Sequence, residues 1–166
     1  MGYMHTWKLS RAFTEIEWLT LTVVAQALAM NLPKFSHSAG GFYSEHPLQI
    51  SDFDVGAPGF EDSLIVFNGA GPDLAHDTFV LQQQPDGFEF CKTARKPYDL
   101  LVVAVLRAAY LIAPDAIEIS SDGNTDDLAP GWRFAAKTMY LRNFSPSPLA
   151  RHGLGEQQGP GWEYFA

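Results

Sequence analysis

Three of the chain's eleven Lys and Arg residues, Lys92, Arg95 and Lys96, fall within five positions. They join the end of a strand pattern to Pro97, where a helix pattern begins. The first backbone N–H groups of a helix have no internal partner, and the helix dipole adds partial positive charge there. Cations beside such an end make a site for a phosphate or carboxylate, and Thr93 adds a hydroxyl donor. Arg95 is the best single candidate, because its planar fork holds two oxygens at once. The competing reading is a solvated cluster that offsets nearby carboxylates, with Asp99 set against the helix dipole.

Other reactive side chains are scattered. Cys91 sits beside Lys92 near the helix start, where a thiol can become nucleophilic, with a histidine such as His76 as its base. A buried, inert cysteine is the commoner case and is expected here. The five histidines include no pair with the spacing of a zinc motif, so no metal site is expected. Asn68-Gly69-Ala70-Gly71 follows no phosphate-loop pattern and reads as a turn. Ser120-Ser121-Asp122-Gly123 closes a strand with several polar groups, suited to a ligand or to an Asx-type turn, with the turn favoured.

The elements that must position these residues can be read in outline. A strand is expected over 3–9. A helix follows, with Thr14 and Glu17 at capping-box spacing and Pro33 stopping it. Ile16, Leu19, Val23, Ala27 and Met30 form one apolar line on it, and Trp18, Leu21, Ala25 and Leu28 a second beside the first. Residues 34–62 are loop-rich, with a short strand near 48–51. Strands over 63–68, 78–82 and 88–93 have short connections, which favours an antiparallel meander, with Pro85-Asp86-Gly87 as a hairpin turn. The second helix spans 97–112. Apart from Arg107 its body is apolar nearly all round, so it should be covered on most sides. A strand over 116–121 and a short helix within 126–140, anchored by Trp132 and Phe134, complete the pattern. The expected fold is α+β, a mainly antiparallel sheet of four or five strands with two main helices. Residues 1–141 form one domain, and 142–166 an extended or poorly ordered tail whose Trp162, Tyr164 and Phe165 could dock on this chain or a neighbour.

Composition limits the function classes. At 166 residues and 46% hydrophobic, the chain can build a core without disulfides. A net charge of -8 disfavours nucleic acid as a partner. The apolar stretch 100–113 is shorter than the roughly 20 residues that a membrane span needs. With a single cysteine and no secretory signal, a soluble cytoplasmic protein is expected.

Several segments together resemble a family of proteins, without an established activity, encoded in bacterial, archaeal and phage genomes. They are Gly2-Tyr3-Met4-His5-Thr6-Trp7, Phe67-Asn68-Gly69, His76-Asp77-Thr78-Phe79, the ten residues 90–99 and Ser120-Ser121-Asp122-Gly123. The resemblance covers residues 2 to about 134 and is most specific over 90–99. It departs from the family pattern at Met4, Thr6 and Asp77. It implies positions without a mechanism. Together with side-chain chemistry it brings His5, His76 and Asp122 forward to complete a pocket around Lys92, Thr93, Arg95 and Lys96. Two functions are expected on these grounds. One is binding of an anionic small ligand, a phosphate ester or nucleotide, at the 92–99 junction, with cofactor and catalysis open. The other is a non-catalytic, phage-associated or mobile-element factor that binds another protein.

Overall fold

Burial alternates along the chain from Met4 to Leu9, and the computed structural model, which describes residues 2–33, 48–56 and 63–149, makes this segment the centre of a sheet. β1 (Met4–Leu9) lies between β5 (Phe88–Lys92) and β6 (Ile117–Ser121), antiparallel to both. His5 stands opposite Cys91 on one side and Ser121 on the other. A second antiparallel sheet runs β2 (Ile50–Val55), β3 (Leu64–Gly69), β4 (Phe79–Gln82). Rings of Trp7, Phe79 and Phe67 stack between the two sheets, with centroids 5.2 and 4.9 Å apart.

The α+β class and the antiparallel pairing hold. The strand arrangement differs from the expected single sheet of four or five: among the described residues six strands form two sheets of three. The central meander also divides. β3 pairs with β4, but β5 leaves that sheet and pairs with β1. Residues 83–87 carry the chain across: Gln83 N donates to Ser63 O while Gln83 O accepts from Phe13 N, and Gly87 turns with φ 83°. In β5 it is Cys91 that points inward. Phe88 and Phe90 are 66% and 56% exposed.

Among the described residues three helices cover the sheets. α1 (Glu15–Met30) begins with the expected capping box, Thr14 and Glu17 each bonding the other's backbone N–H. Its second apolar line enters the core whole, with Trp18, Leu21, Ala25 and Leu28 buried; of the first line Ala27 is buried, whereas Ile16 and Met30 are 79% and 80% exposed. α2 (Asp99–Ile112) starts two residues after Pro97 and packs against both α1 and α3 (Thr125–Leu141). Its apolar girth is explained by this central position. α3 is longer than the short helix expected, at 17 residues. Asn124 and Asp127 form a second capping box, and Pro130 sits inside the helix at the loss of one backbone bond. Gly131 next to it lets α2 approach: a Cβ there would lie 2.4 Å from Val103 Cγ1.

Residues 142–149 return over the end of α2, where Ser147 N donates to Leu111 O and Phe144 is half-buried against the core. The aromatic positions Trp162, Tyr164 and Phe165 lie outside the described residues. Among the described residues no helix is long and apolar enough to cross a membrane.

Candidate functional site

The 92–99 segment is held by backbone bonds before any side chain acts. Thr93 N and Ala94 N both donate to Tyr3 O, each at 3.1 Å. Ala94 and Arg95 then adopt left-handed φ values of 50° and 60°, which L-residues reach at some cost. This reversal turns Thr93 inward and sends Arg95 and Lys96 apart.

Partners separate the cation cluster further. Arg95 stacks over the Tyr3 ring at 4.3 Å and donates to Asp127 at 3.3 Å. Lys96 Nζ donates to Asp73 O at 2.7 Å. Lys92 uses its backbone N–H on Asp77 Oδ2. The first amides of α2 are also engaged, with Asp99 N, Leu100 N and Leu101 N bonding Lys96 O, Pro97 O and Tyr98 O. His76 forms an exposed pair with Asp77 at 3.2 Å. Asp122 accepts from Met4 N, an architectural bond between strand ends.

Thr93 and His5 do come together. Asp99, at the first position of α2, accepts from Thr93 Oγ1 at 2.6 Å and bonds His5 Nε2 at 2.7 Å. All three residues are buried. His5 is also packed edge-on against the Tyr3 ring. Behind it, Cys91 is fully buried, and burial pushes its thiol up to about 12, out of the range of a nucleophile at neutral pH.

His5 forms one wall of a cavity of about 460 Å³ between α2, α3 and β6. Val103, Leu106 and Ile117 supply apolar surface, and Ser120 and Ser121 supply hydroxyls from β6. Arg107 enters from the middle of α2 and is 8% exposed. Among the described residues its guanidinium donates no hydrogen bond and meets no carboxylate within ion-pair distance. It lies instead over the rings of Trp132, at 4.8 Å, and Tyr110, at 5.6 Å. Glu118 stands on the exposed rim and makes no ion pair with it. Burial brings Arg107 down to about 10, which leaves it charged at neutral pH.

Of the residues singled out from sequence, His5 lines this cavity and Thr93 supports it through Asp99. Lys92, Arg95, Lys96, His76 and Asp122 do not line it. Arg107 is visible in the sequence as the lone charge in the apolar body of α2, and that is the available signal. Ser121 Oγ accepts from Gly123 N and is not bonded to His5, so no nucleophile–base pair is formed there. Among the described residues no three metal-ligating side chains come together. No protein-family model, curated protein or solved structure matches the chain.

Proposed function

We propose that the protein binds a small ligand with an anionic group in the cavity between α2, α3 and β6, with Arg107 as the anion clamp. The observation that carries this is Arg107 itself: a buried guanidinium that lines a cavity and has no acidic partner among the described residues. An isolated buried charge is costly unless something pairs with it. Cation–ring contact with Trp132 and Tyr110 steadies the guanidinium, and its N–H groups, unbonded among the described residues, are available to a carboxylate or phosphate oxygen pair. The apolar wall suits a ligand body of small size. The anionic-ligand expectation thus keeps its chemistry and moves from the 92–99 junction to α2.

A thermal-shift and calorimetric screen of small carboxylates and phosphate esters tests this. Ligands should raise the melting temperature of the wild type and not of Arg107→Met, while Lys96→Met should behave as wild type. Equal binding by wild type and Arg107→Met would refute the assignment.

A second function, protein interaction without catalysis, is supported by the outer face of α1, where Ile16, Leu19, Val23 and Met30 are exposed. If that face self-associates, Ile16→Glu with Leu19→Glu should lower the sedimentation coefficient. An unchanged value would remove self-association as its role.

A further inference from the structure

The Arg107 cavity has a second polar feature, and its chemistry narrows the ligand class. Asp99 Oδ1 bonds both Thr93 Oγ1, at 2.6 Å, and His5 Nε2, at 2.7 Å. A carboxylate oxygen only accepts, so in the carboxylate state Nε2 is the donor in the His5–Asp99 bond. In a neutral imidazole with its proton on Nε2, Nδ1 carries the lone pair. With the carboxylate opposite a neutral ring, the Asp99 bond selects this tautomer, and the edge-on Tyr3 ring, 5.2 Å away at 89°, restrains the plane.

Nothing within the described residues donates to Nδ1. Ser121, directly across the strand pair, makes no hydrogen bond with His5. His5 is 1% exposed. It is one of the residues that line the cavity. The cavity is thus lined by a cation, Arg107, and by a histidine whose Nδ1 has no hydrogen-bond partner among the described residues, with apolar surface around them. A buried acceptor without a donor is costly, and a site built this way discriminates strongly against a ligand that lacks the donor.

Taking this cavity as the binding site proposed above, we infer that the ligand is a small apolar or aromatic acid that also carries a hydroxyl or N–H group. Arg107 holds the acid, and the hydrogen-bond donor is placed on His5 Nδ1. His5 is here a specificity-determining residue, and Asp99 and Thr93 are positioning residues that act through it.

The test uses matched acids on the full chain: benzoate, phenylacetate and butyrate, each beside its positional hydroxy and methoxy derivatives. Titration calorimetry reads the affinities. One hydroxy acid in a matched set should bind at least about tenfold tighter than its unsubstituted and methoxy counterparts, the size of one satisfied buried hydrogen bond. In His5→Phe that gap should vanish while the unsubstituted acid still binds. Nitrogen NMR of histidine-labelled wild type gives a readout that does not depend on the variant's folding. It should show Nε2 protonated and Nδ1 bare, with Nδ1 shifting when the preferred hydroxy acid is added. Acids that bind without any hydroxyl preference, a preference that survives in His5→Phe, or a ring protonated on Nδ1 would each overturn this inference and leave the Arg107 assignment standing. Acids that fail to bind, or that bind Arg107→Met as well as wild type, would overturn both.

Discussion

An arginine that lies over two rings with no acid beside it among the described residues is a poor choice for stability. Arg107→Met keeps the unbranched stem and removes the charge, so it should raise stability by about 1–2 kcal/mol in urea melts while abolishing anion binding. A loss of stability would mean that the stacked guanidinium holds α2 to α3 and needs no ligand to account for it. Cys91 gives a second prediction at this scale. Its burial and raised thiol predict slow labelling by a thiol reagent in the native protein and fast labelling after denaturation. Labelling as fast in the native state would show an accessible thiolate. The site is only partly legible in the sequence. Thr93 is legible as a hydroxyl donor beside the cation cluster, and His5 through the family resemblance and its side-chain chemistry. Asp99 reads locally as a partner of the helix dipole, because a carboxylate at a helix start serves that purpose without any distant group. Its bond to His5 spans 94 positions, and local spacing cannot show it.

Local signals predict whole elements where local chemistry forms them. The capping box at Thr14 and Glu17 is present as its spacing predicts, because cap and helix are chain neighbours. The buried face of α1 is not decided locally. Two apolar lines lie side by side, and packing against α2 selects the one with Trp18 and Leu28. β5 is equally open, since alternation gives two faces but not the partner strand. Close approach of α2 and α3 rests on Gly131. Gly131→Ala should destabilise by about 1–3 kcal/mol through its clash with Val103, although alanine favours a helix. Adding Val103→Ala should recover part of that loss, and a stabilised single variant would contradict the close packing. The start of α1 carries a pH-dependent element. Arg11 bonds both Glu17 and Asp115 and holds both carboxyls below the usual range. Such groups add stability above their unfolded values near about 4 and lose it as pH falls through the lower folded values. Arg11→Met should therefore cost no more than about 1 kcal/mol at pH 7, since the partners are partly solvated, and less in acid. A cost that grew as pH fell would reverse the sign.

Across the whole molecule, charge and site oppose one another. The chain carries a net charge of -8, yet the cavity proposed for an anion is built around a cation. The negative field should slow the approach of an anionic ligand, and salt should screen that field beyond about 10 Å at 0.1 M. The association rate should therefore rise with ionic strength, as read by stopped-flow fluorescence of Trp132 against a Trp132→Phe control. A rate that falls steeply with salt would point to an exposed basic site, such as the 92–96 segment. The acidic total is legible in composition. The position of the cavity is not, because it forms where α2, α3 and β6 meet. The most direct measurement is a crystal soaked with 4-iodobenzoate, whose iodine can be located by its anomalous scattering. The account predicts iodine in the cavity between α2, α3 and β6, with the carboxylate paired to the Arg107 guanidinium. Iodine at Lys92, Arg95 and Lys96, with the Arg107 cavity unoccupied, would contradict it.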